Sequence, residues 1–153
     1  MADRWRAAST FVIVGAICIV SGGLVAAATG PAGFEHGSWL AAYLVLVGGV
    51  AQIALGGGQA WLADRVPRAR TTRTEAWSWN LGAVLVVLGT LSSLPTLTSI
   101  GGLLSAVALG LFAGGVRRVR TGQRRLRLLY RSIAALILLS TTVGVVLAWI
   151  RHG

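Results

Sequence analysis

Long uncharged stretches alternate with short polar ones along this chain. Residues 7–28, 38–63, 76–116 and 132–150 contain no Asp, Glu, Arg or His. About 20 apolar residues suffice to cross the hydrocarbon of a bilayer, so each stretch predicts at least one span. Residues 76–116 are twice that length, carry Pro95 near the middle and have arginines at both ends. A chain that must return to the side it left needs an even number of crossings. The pattern therefore predicts two helices, about 77–94 and 96–116, joined by a tight turn over 92–96; a re-entrant hairpin is the alternative. The expected architecture is all-α: a polytopic membrane helix bundle in one domain, 1–153, with five transmembrane helices at about 7–28, 38–63, 77–94, 96–116 and 132–150.

Small residues recur every three or four positions within these stretches. Gly15, Cys18, Gly22 and Ala26 share a face of the first span, Gly102, Ala106, Gly110 and Gly114 of the fourth, and Ser140, Gly144 and Ala148 of the fifth. Such ridges let helices approach closely. In the second span Gly48, Gln52, Gly56 and Gln59 align on a polar packing face, because an unpaired amide facing lipid is costly. Gln52, Gln59, Asn80, Thr141 and Thr142 are read first as interhelical hydrogen-bonding groups and second as a polar path.

Charge orients the bundle. All 14 basic residues are Arg against 4 acids, giving a net charge of +10. Residues 117–131 hold seven arginines and no acid, and arginine-rich loops stay on the cytoplasmic side. With the N-terminus cytoplasmic and the C-terminus outside, the inner segments carry 2 + 4 + 7 = 13 arginines, leaving Arg151 outside. The uniform use of Arg and the abundance of Ala, Gly and Val suggest a bacterial plasma (inner) membrane protein. Ala26-Ala27-Ala28 resembles a signal cleavage site, but the apolar run before it exceeds the usual ~7–15 residues, so a retained helix is expected. The basic balance is assigned to membrane lipid, with anionic headgroups on the cytoplasmic side, and to no nucleic acid. Arg120, Arg124, Arg127 and Arg131 would form one stripe against such headgroups, or else serve only as a topology signal with snorkelling side chains.

Chemistry-bearing residues are few. Cys18 is the one cysteine, and no zinc spacing, P-loop or hydrolase motif occurs. With no ionisable group in a predicted span, a proton relay or ion-coupled transport is disfavoured. Glu35 and His36 sit at the outer start of the second span, near Trp39 and Tyr43, and His152 lies at the outer end of the fifth. Neutral imidazole ligates heme iron, copper or zinc, so His36 and His152 are candidate cofactor ligands and His36 with Glu35 a candidate metal site; ordinary interfacial loop residues are the alternative.

The runs HGSWLAAYLVLVGGVAQIALG, WNLGAVLVVLG and LLYRSIAALILL resemble small multi-pass bacterial membrane proteins related to the helix bundle of heme-copper oxidase subunit I. The resemblance covers the pattern of residues 36–150. It implies a His at the outer start of a span as heme ligand, which only His36 matches. The further histidines of that family are missing, so the resemblance implies at most a single-heme or non-catalytic relative. The leading expectation is an integral membrane protein without a catalytic site, an accessory or assembly subunit that forms a homo- or hetero-oligomer. Heme or metal binding through His36, and a passive pathway for a small neutral or lipid-like molecule, are the alternatives.

Overall fold

The computed structural model describes residues 1–64, 66–117 and 124–152, except for the side chains of Arg151 and His152. Five helices account for nearly all of them: α1 (Ala2–Ala32), α2 (Gly37–Leu62), α3 (Ala69–Leu91), α4 (Pro95–Gly115) and α5 (Arg124–His152). Four of these, α1, α2, α4 and α5, are long and apolar enough to cross a membrane. In α3 the uncharged part, residues 76–91, has 16 residues, or ~24 Å of helix, short of a ~30 Å hydrocarbon core.

Chain-adjacent helices pack antiparallel, α1 on α2, α3 on α4, and α5 on α4. One end of the bundle gathers the start of α1, the end of α2, the start of α3, the end of α4 and the start of α5. Arg4, Arg6, Arg68, Arg70, Arg73, Arg117 and Arg124 lie there and make it the basic end. Tryptophans mark both ends. Trp5, Trp61 and Trp77 are exposed near the basic end, and Trp39 and Trp149 near the far end, as amphipathic rings distribute at two membrane interfaces.

The turns explain why the hairpins close so tightly. Gly33 ends α1 in the left-handed conformation, φ 61°, and Phe34 N–H donates to the Thr29 carbonyl at 3.2 Å, a glycine-based helix stop. Ser93 takes the same role after α3 with φ 53°, letting Leu94 N–H donate to the Gly89 carbonyl at 2.8 Å. Pro95 then opens α4 at its first turn, where its missing N–H leaves no helix bond unmade. At the basic end the Arg4 guanidinium of α1 donates to the carbonyls of Ala60, Ala63 and Asp64 at 2.7, 2.9 and 3.1 Å. It caps the C-terminus of α2, where carbonyls lack helical partners and the dipole favours a cation.

Glycine sets the helix spacing at a few contacts. A Cβ on Gly15 would stand 2.5 Å from Ile53, and one on Gly22 would stand 2.7 Å from Val45. Gly101 meets the Gly82 carbonyl at 2.6 Å by the same construction. The ridge expected on the fourth span is only partly used. Gly102 packs on Val145, whereas Gly110 and Gly114 face open space, and the contact with α3 runs through Gly101, Thr98 and Ser105. On the first span Ala26 is exposed, and Gly15, Cys18 and Gly22 make the seam.

The core lies toward the basic end. Phe11, Leu55, Trp79, Leu109, Phe112, Val116 and Tyr130 are buried together. Phe112 meets Phe11 edge-on at 5.4 Å and Trp79 at 6.2 Å. Toward the far end the bundle opens.

Candidate functional site: a cleft between helices and the polar cluster beneath it

α2 does not run as a uniform α-helix. Residues Leu44–Ala51 form a π-helical segment, a wider turn that is frequent at functional sites. The widening offsets the drift that a four-residue spacing shows on an α-helix, so Trp39, Tyr43, Val47 and Ala51 come to one wall. They line a cavity of about 500 Å³.

The opposite wall is α5, through Ile137, Ser140, Thr141, Gly144 and Ala148. α5 meets α2 at residues 52–62, where Tyr130 reaches over Gly58 and its hydroxyl donates to the Leu55 carbonyl at 2.9 Å. Beyond that contact the two helices stand apart, and α3 and α4 close the back through Val86, Gly89, Thr98 and Ser105. The small face expected to pack on a helix, Ser140, Gly144 and Ala148, thus fronts the cavity instead, and Gly144 has no neighbour within 4 Å of a Cβ.

The lining is mostly apolar. Three of its hydroxyls serve their own helices: Thr98, Ser105 and Thr141 donate to the carbonyls of Leu94, Gly101 and Ile137 at 3.5, 3.0 and 2.9 Å. Trp39 and Tyr43 stack at 5.3 Å where the cavity nears the far end. Trp79 closes the floor, 1% exposed, with its indole N–H unpartnered.

One turn before Trp79 on α3 is Glu75, which is 0% exposed. It falls in the polar stretch between the uncharged residues 38–63 and 76–116, which the sequence reads as a loop. The structure corrects this, because α3 begins at Ala69 and carries Glu75 into the bundle. Its Oε1 accepts from Gln59 Nε2 at 2.8 Å, and its Oε2 has no partner. Gln59 is itself held against Gly115 of α4, where any side chain would collide with the amide. Glu75 precedes the apolar stretch and lies outside the four membrane-length segments. Desolvation raises its carboxyl above the ordinary range, and the Gln59 hydrogen bond partly offsets that. Glu75 lies outside the expected span at 77–94, yet the earlier start of α3 buries it among the helices.

The aligned face of α2 is buried throughout: Gly48 against Cys18, Gly56 against Phe11, Gln52 and Gln59 at 0 and 1% exposure. The Gln52 amide N–H lies 3.5 Å from the Phe11 carbonyl and its oxygen is unpartnered. Gln52 lies behind Ala51 and does not line the cavity. Asn80 and Thr142 bond their own helices, to Ala76 and Leu138 at 2.8 and 2.9 Å.

Glu35 and His36 are exposed on the α1–α2 turn, with His36 beside Phe34 at a ring separation of 6.5 Å. The side chain of His152 lies outside the described residues. Among the described residues no three His, Cys, Asp or Glu side chains gather as metal ligands. Arg124 and Arg131 are exposed on α5, and Arg127 donates to the Arg117 carbonyl at 3.1 Å; Arg120 lies outside the described residues.

No protein-family model, curated protein or solved structure matches this chain.

Proposed function

We propose that this chain is a multi-pass membrane protein that holds one small apolar or lipid-like molecule in the cleft between α2 and α5. The observation that carries this is the separation of those helices beyond Tyr130, which leaves a mostly apolar cavity of about 500 Å³. Ligand sites between helices of bundles are commonly of this size and polarity, within roughly 300–1,000 Å³. The π-helical wall and the unfilled glycine of α5 support the same reading. The arginine distribution supports an N-terminus in the cytoplasm, which puts the cleft in the outer half of a bacterial plasma membrane. The basic end then faces anionic headgroups through Arg124 and Arg131.

Native mass spectrometry from mild detergent tests the proposal. The expected result is a stoichiometric small apolar adduct on the protein, lost when Ser140 and Gly144 are both changed to Phe. An adduct retained in a folded Ser140→Phe/Gly144→Phe protein would contradict it.

A second reading has its own observation. Gly110 and Gly114 leave α4 with a shallow unfilled groove, the kind of surface on which another membrane helix packs closely. It supports an accessory or assembly subunit, homo- or hetero-oligomeric, and the two readings are compatible. Co-purification in mild detergent tests it: a partner or a second copy is expected, lost in Gly110→Leu, and a lone monomer would contradict it.

A further inference from the structure

The chain has four side-chain carboxyls, and three of them, Asp3, Glu35 and Asp64, are exposed. Glu75 alone is buried, where α3 meets α2, α4 and α5. α2 presents Gln59 to it, and α5 presents Tyr130, whose hydroxyl is engaged by the Leu55 carbonyl. α4 contributes Gly115 and Val116 beside this cluster, which carry no charge. On its own helix Arg73 is exposed. On α1, Arg4 is held by the carbonyls of Ala60, Ala63 and Asp64. Among the described residues, Tyr130 is therefore the one titratable group facing Glu75, and no cation pairs with it.

A carboxylate offers about four acceptor sites, and a buried one without a cation or several donors is strongly disfavoured. Gln59 supplies one N–H, and Oε2 is unpartnered. The neutral acid fits this surrounding better: Oε1 accepts from Gln59, and Oε2 carries the proton. We propose that Glu75 is a proton-binding site, that the bundle packs around its neutral form, and that proton release to water loosens the seating of α5 on α2. Release leaves one negative charge beneath Tyr130, and hydrating it requires opening the α2–α5 contact. This inference does not depend on what occupies the cleft.

Infrared spectroscopy of the whole protein in liposomes, in H₂O and D₂O, tests it. At pH ~5.5 the exposed carboxyls are largely ionised, whereas burial pushes the Glu75 carboxyl up to about 6, so most of a protonated-carboxyl band there belongs to Glu75. The band is expected in the native protein, should fade as pH rises toward ~8, and should be much weaker in Glu75→Gln. A native band at pH ~5.5 no stronger than that of Glu75→Gln would overturn the proposal. If Glu75→Gln does not fold, the pH titration of the native protein decides. A carboxyl step separate from, and above, that of the exposed acids is expected, and a single merged step would overturn the proposal. Amide protection over residues 124–134, taken relative to the intrinsic exchange rate at each pH, should fall at least several-fold across that step in the native protein and hold constant in Glu75→Gln. Protection that ignores the step would overturn the claim about α5.

Discussion

At the scale of single residues the buried amides and the carboxyl govern the energetics. Removing Gln59 strands Glu75, so Gln59→Ala should destabilise the fold by about 1–3 kcal/mol, the cost of an orphaned buried polar group; thermal or denaturant unfolding in detergent checks it. Glu75→Gln should act oppositely at neutral and higher pH. The sign follows from linkage: the folded carboxyl binds its proton more tightly than the unfolded one, so native stability falls as pH rises from the unfolded value through the folded one. The Gln variant lacks that loss. Its melting temperature should match the native protein near pH 4, exceed it by a few degrees near pH 8, and show a flatter pH profile. None of this was visible from charge patterning, which groups Glu75 with the arginines before it. Spacing did hold the signal: Glu75, Trp79, Gly82, Val86 and Gly89 recur at four and three residues, a helical seam that crosses the polar boundary.

At the scale of helices, glycine spacing predicts close packing without saying which stripe is used. α4 has two overlapping stripes one residue apart. Gly101 with Ser105 faces α3, whereas Gly102, Ala106, Gly110 and Gly114 make the more regular pattern, of which Gly102 packs on Val145 and Gly110 and Gly114 face open space. A periodicity of four fits both stripes, and only the partner helix chooses between them. The choice has a measurable consequence. Gly101→Ala forces a methyl onto the α3 backbone and should cost about 1–3 kcal/mol. Gly110→Ala meets nothing and should be neutral or stabilising by up to ~1 kcal/mol from helix propensity. Paired melting curves of the two variants check this, and equal effects would contradict the seam described. The π-helical turn of α2 had no signal in the sequence, since its residues are uniformly apolar.

For the whole molecule, the uncharged stretches and the turn residues made the helices and their antiparallel order legible, because lipid-length apolar runs leave few alternatives. The cleft was not legible. It arises because α5 is anchored at one end by Tyr130 and rests on α4 at the other, a packing outcome that no local pattern encodes. The orientation is tested by labelling. In a Cys18→Ser background, Gln123→Cys should react with an impermeant thiol reagent only after the cells are opened, and Glu35→Cys in intact cells; the reverse would invert the bundle. The most direct measurement concerns the cleft itself. With Trp5, Trp39, Trp61, Trp77 and Trp149 changed to Phe, Trp79 is the sole tryptophan, at the cavity floor. A brominated apolar amphiphile should quench its emission saturably, and the quenching should vanish in Ser140→Phe/Gly144→Phe. Quenching that stays linear in probe concentration, or is unchanged with the cleft filled, would show that nothing enters it.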